Sequence, residues 1–222
     1  MDEMDRATYR SGALAVLPLA AAVLVLGVTF GALAVSAGLT PAAAVAMSAT
    51  TFAGSAQFAA VGILGAGGAV STAVVSAALL NARYAAMGAA VAPALHAPLW
   101  KRLLIAQLTV DETWAVAWLP GGKVSPERLV GAGLALFAAH VGSTAVGAFA
   151  GARFRLDPGA WGIDSAFPAL FVVLLRPHLR SRDGRIAAAL GAALALLLTP
   201  IVPVGVPIAA AATVSLIGLR KP

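Results

Sequence analysis

Apolar runs long enough to cross a lipid bilayer recur along the whole of this 222-residue chain. A membrane-spanning helix needs about 20 mostly apolar residues. Candidate spans fall near residues 12–37, 41–65, 69–94, 102–119, 129–151, 164–180, 186–201 and 203–219. Hydrophobic residues make up 60% of the chain and charged ones 11%, whereas soluble domains are about 45–50% apolar and about 25% charged. The sequence therefore predicts an all-α polytopic membrane bundle of about eight helices, or as few as six, some of them broken. Residues 1–222 form one integral membrane domain in this reading, with residues 1–11 as a short cytoplasmic tail.

The charges support that reading. A net charge of +6 raises the question of nucleic acid, but the basic residues sit in short loops between apolar runs, so no nucleic-acid partner is expected. With eight spans and an internal N-terminus, Arg6, Arg10, Lys123, Arg128, Arg176, Arg180, Arg182, Arg185, Arg220 and Lys221 fall inside. Lys101, Arg102, Arg153 and Arg155 fall outside. This excess follows the positive-inside rule and predicts both termini in the cytoplasm. The 23 glycines suit closely packed membrane helices. With no cysteine in the chain, disulfides, thiolate metal sites and cysteine nucleophiles are excluded.

Met47 to Gly65 is too polar for a plain anchor. Read as one helix at about 100° per residue, it gathers Ser48, Thr50, Thr51, Gly54, Ser55 and Gln57 on one half of its circumference. Such a face looks at protein, water or substrate rather than lipid. Ser and Thr there can serve simply as contacts between helices. A buried Gln57 amide must instead satisfy up to about four hydrogen bonds. Gly54 permits close approach or a local break that frees N–H groups to bind a carboxylate.

The third and fourth spans carry charges at mid-depth. Arg83, in Asn81-Ala82-Arg83-Tyr84, and Asp111, with Glu112 beside it, sit near the centres of their runs. Each buried charge costs about 2.5–3.5 kcal/mol on insertion scales, and their shared depth predicts an Arg83–Asp111 pair. On regular helices Asn81 points away from Arg83, and Gln107, Asp111, Trp114 and Trp118 share a face from which Glu112 is turned. His140 lies midway along the fifth span as a candidate proton relay. Asp164 and Pro168 open the sixth, Pro168 as a second candidate helix break. Gly27-Val-Thr-Phe-Gly31 and Gly142-Ser-Thr-Ala-Val-Gly147, each followed by a polar segment, hint at an internal repeat. The sequence has no phosphate-binding loop, metalloprotease helix or nucleophile elbow. Neither an enzyme nor a metal or cofactor site is expected, and any driving energy comes from an ion gradient or another subunit.

These segments, in their order and spacing over residues 12 to 180, resemble the AzlC family, the large subunit of branched-chain amino acid exporters. They are Gly27–Thr40, Met47–Phe58, Asn81–Tyr84, Leu108–Thr113, Gly142–Gly147 and Ile163–Phe171. Tyr84 departs from the histidine frequent at that place, and His140 from a frequent aromatic. The resemblance implies export of branched-chain or related hydrophobic amino acids across a bacterial inner membrane, together with a small AzlD-like membrane subunit. For a zwitterionic substrate, Gly54, Ser55 and Gln57, with Asn81, are the expected carboxylate ligands. Asp111 would take the ammonium or a coupling proton, and Arg83 would neutralise Asp111 or bind the carboxylate. Phe52, Phe58 and Phe167 would line the side-chain pocket. A channel or permease for another small solute is the alternative.

Overall fold

The computed structural model describes residues 3–154, 172, 175–176, 178–202 and 206–214. Most of the sixth candidate span, including Asp164, Phe167 and Pro168, lies outside the described residues. Glu3–Ala15 forms α1, so most of the expected tail is helical. Leu17–Ser36 forms α2, Pro41–Thr51 α3, Gly54–Gly65 α4 and Val70–Val91 α5. Leu99–Gln107 forms α6, Asp111–Ala117 α7 and Pro126–Phe154 α8. A two-stranded hairpin, Trp118–Leu119 (β1) with Lys123–Val124 (β2), separates α7 from α8. Arg182–Leu198 (α9) and Val206–Thr213 (α10) pack on each other, and α10 leans on α5.

Among the described residues, three helices are long and apolar enough to cross a membrane: Leu17–Ser36, Val70–Ala94 and Pro126–Phe154. Residues 41–65 and 102–119, expected as continuous spans, are each interrupted and fold back on themselves. The course of the chain follows from its contacts. Ala44 of α3 packs beside Ala34 of α2, so α3 leaves the end where α2 finishes. Past the break, Phe30 meets Phe58 at 5.6 Å between ring centres, and Gly65 rests against Ala37. α4 therefore runs parallel to α2, back to the end from which α3 came. Leu95, Leu108, Ala117 and Leu129 share one cluster with Val91 at the far end of α5. α6 enters from that end, and α7 returns to it, because Asp111 reaches Arg83 while Ala117 lies by Val91. The two re-entrant hairpins thus enter from opposite ends and meet beside Leu136, Phe137 and His140, the middle of α8.

This path revises the charge ledger. Lys101 and Arg102, expected on the opposite side from Lys123 and Arg128, now share their end of the bundle. At the other end the turns at residues 37–40 and 66–69 carry no Lys or Arg, and the last turn of α8 brings Arg153.

α2 and α8 are the central pair. They run parallel: Gly27 faces His140 and Ser143, Gly31 faces Thr144 and Ala148, and Ala32 faces Gly151. A Cβ on Gly31 or Gly147 would overlap the opposing backbone, so only glycine allows this crossing. The two glycine motifs read as a repeat are the two faces of one interface. Ser48 adds a buried hydroxyl–hydroxyl bond of 3.0 Å to Thr144, a contact between helices rather than a ligand position. α1 crosses α8 the other way, Gly12 against Arg128 and Gly131 against the backbone of Tyr9. The outer faces present Leu24, Val25, Val74, Val146 and Phe149, as a lipid environment requires.

Two outcomes are expected. In a chain with no native cysteine, Ser36→Cys and Ala66→Cys will react with an impermeant thiol reagent from the same side of the membrane. His96→Cys and Lys123→Cys will react from the other side, whereas full crossings by residues 41–65 and 102–119 would separate the members of each pair. Gly147→Val will lower thermal stability in detergent by about 1–3 kcal/mol or abolish folding, while Gly142→Val, with open space at its Cα, will be tolerated.

Candidate functional site

Each hairpin tip strands backbone groups that a low-dielectric interior cannot leave unpaired. The first break is not at Gly54 but at Phe52, which adopts left-handed φ 41° and ψ 47°. A non-glycine residue there costs about 1–2 kcal/mol; the buried ring is held against Phe137 (5.1 Å) and His140 (5.9 Å). Gln107 Nε2 donates to the carbonyls of Ala49 (3.1 Å) and Thr50 (2.9 Å), closing the C-terminus of α3. Gln107 thus joins one tip to the other instead of sharing a face with Asp111. Gln57 closes the other side: its Oε1 accepts from Ala53 N–H (3.1 Å). That bond assigns the amide orientation, so the His140 Nε2–H, 3.2 Å away, is the donor to the same oxygen. At the second tip, Thr113 Oγ1 accepts from Val110 N–H (2.9 Å) and lies 2.7 Å from the Leu108 carbonyl.

Between the tips lies a cavity of about 110 Å³, room for a few waters or a small solute. Val23, Leu26, Phe52, Phe58 and Leu136 form its apolar wall. Gly54, Ser55, Arg83, Tyr84, Asp111, Glu112 and His140 supply the polar part. Arg83 Nη2 lies 2.8 Å from Asp111 Oδ2, donates to Ser55 Oγ at 3.1 Å and approaches Tyr84 OH at 3.4 Å. One guanidinium therefore ties α5 to the first turns of both α4 and α7. The side chains of Arg83 and Asp111 remain 44% and 43% exposed, so the pair is open rather than sealed in packing.

The two helix N-termini at the cavity differ electrically. Each carries about half a positive charge on its free N–H groups. At α7 the acidic Asp111 and Glu112 occupy the first turn. α4 opens with Gly54-Ser55-Ala56 and no acid, and a Cβ on Gly54 would meet nothing within 4 Å. The cavity thus has a positive pole at the start of α4, reinforced by Arg83, and a negative pole at the start of α7.

Of the residues singled out in the sequence, Phe52, Gly54, Ser55, Phe58, Arg83, Asp111, Glu112 and His140 surround this space. Glu112 faces it beside Asp111, because both head a short helix and not the middle of a long one. Gln57 is fully buried behind the wall, as a brace for the break. Asn81 is not among the lining residues; its Oδ1 is buried without a hydrogen-bond partner among the described residues. Tyr84 and Val110 join the wall unannounced, Tyr84 signalled only by its place next to Arg83. Among the described residues no three His, Asp or Glu side chains gather to hold a metal ion.

Apolar helices around a polar, ion-paired cavity where two interrupted segments meet define a polytopic helical membrane protein. The chain belongs to the AzlC family: the profile described as AzlC protein matches residues 18–154. An uncharacterized membrane protein of Archaeoglobus fulgidus is 33% identical over 209 residues, 93% of this chain and 92% of its own length. One from Helicobacter pylori is 27% identical over 176 residues, 78% and 76% of the two chains. No solved structure matches. The relatives are named membrane proteins, and membership of the AzlC family supports a membrane transport-related role.

The ion pair should show coupling in a stability cycle. Arg83→Gln and Asp111→Asn will each lower thermal stability in detergent, and the double variant will lose less than their sum. A coupling of about 1 kcal/mol is expected for a half-exposed pair; strict additivity would mean that the contact contributes nothing.

Proposed function

We propose that this chain is the transport subunit of an exporter for branched-chain or related neutral amino acids. The observation that carries the reading is the split polarity of the cavity. A zwitterion needs donors for its carboxylate, an acceptor for its ammonium, and an apolar wall for its side chain. The N–H groups at the start of α4, with Ser55 and Arg83, suit the carboxylate. Asp111, with Glu112 beside it, suits the ammonium, and Phe52 and Phe58 the side chain. In the empty site Arg83 and Asp111 satisfy each other, so neither charge is left bare when substrate departs.

Two further parts of the reading have support of their own. The gathering of Lys101, Arg102, Lys123 and Arg128 at one end, against Arg153 in the last turn of α8 at the other, supports a plasma-membrane orientation with the more basic end cytoplasmic. The exposure of an ion pair at the level of the hairpin tips supports a second, AzlD-like subunit that shields it from lipid.

Labelled leucine or valine uptake into inverted vesicles holding both subunits tests the assignment. Asp111→Asn and Arg83→Gln should each cut the rate at least tenfold, equivalent to about 1.4 kcal/mol. Gln57→Ala should reduce it by loosening the break. Wild-type rates in all three would sink the site.

A further inference from the structure

Glu112 is the charge that the ion pair leaves over. The cavity holds one guanidinium and two carboxylates, and Arg83 is committed to Asp111 at 2.8 Å. Among the described residues no cation stands within ion-pair distance of Glu112. The groups facing it from the neighbouring elements are few. α5 contributes Arg83 and Tyr84, α7 contributes Asp111, and α8 contributes His140, whose Nε2–H is engaged by Gln57. The lining residues of α2 and α4, among them Val23, Leu26, Ser55 and Phe58, carry no charge. A lone carboxylate in such a space needs a positive partner, and in the empty cavity a proton is the one available.

Resting on the amino acid reading above, we propose that Glu112 is the coupling residue, binding a proton in the empty cavity and exchanging it for the ammonium of the substrate. The step balances: the Glu112 carboxylic acid gives its proton to water, the carboxylate takes up the R–NH3+ group, and no covalent bond to carbon changes. The Arg83–Asp111 pair can then persist while the substrate carboxylate sits at the start of α4. One site that holds either a proton or an ammonium, but not both, yields exchange of protons for substrate across the membrane. The acid adjacent to Asp111 thereby acquires a role distinct from it.

Binding measured by calorimetry on the purified complex tests this. Wild-type affinity for leucine or valine should weaken as pH falls through the titration of Glu112, the slope approaching tenfold per pH unit. Binding in weak buffer with a pH indicator should release close to one proton per substrate. Glu112→Gln should bind more weakly, with a flat pH profile and no proton release, and Glu112→Asp should restore the slope. Binding by the wild type without a pH slope or proton release would overturn the exchange but leave the amino acid reading intact, as would a Glu112→Gln variant that keeps the wild-type slope. Absence of binding at every pH would remove the amino acid reading and the exchange with it. Should Glu112→Gln fail to fold, the wild-type proton count and the Glu112→Asp profile decide alone.

Discussion

A guanidinium more than halfway along a 22-residue apolar helix has to be neutralised, and the partners of Arg83 determine where the rest of the site can stand. Nη2 reaches Asp111 at the head of α7 and Ser55 at the head of α4. In straight spans Ser55 and Asp111 would lie mid-helix with their N–H groups consumed, so only their side chains could face the cation. Breaking both segments places two helix starts beside the same cation. The breaks are affordable only because Gln107, Gln57 and Thr113 pair the backbone groups they release.

From that arrangement comes the electrical shape of the cavity. Two half-helix starts have the same intrinsic polarity, and side chains make them different: acids cover one, while glycine and serine leave the other open. A pocket with separated poles and an aromatic wall suits a small zwitterion better than a simple ion. The rigid α2–α8 pair, held at backbone distance by glycines, forms the frame against which both tips rest.

Much of the frame and part of the site were legible in the residues. The three long spans followed from apolar run length, and the Arg83–Asp111 pair followed from shared depth and the cost of unpaired charge. The breaks were less legible. Phe52 is not a residue whose chemistry announces a left-handed turn, and Leu108–Val110 reads as ordinary helix or strand. Helical-wheel reasoning across the second break put Gln107 and Asp111 on one face and turned Glu112 away; each step assumed a continuity that the chain does not have. The glycine echo was visible, but periodicity cannot distinguish a repeat from two faces of one contact.

By itself the sequence determined that this chain belongs in a bilayer, which segments are long enough to cross it, and which charged residues would have to find one another there. These follow from transfer free energies, which depend on composition and depth. Only the tertiary structure decided that two apolar segments turn back midway, that their starts face one cavity, and that Glu112 is left without an ion-pair partner among the described residues. Those outcomes depend on which distant side chain caps each broken backbone, and residues 57 and 58 positions apart meet only once the helices have packed.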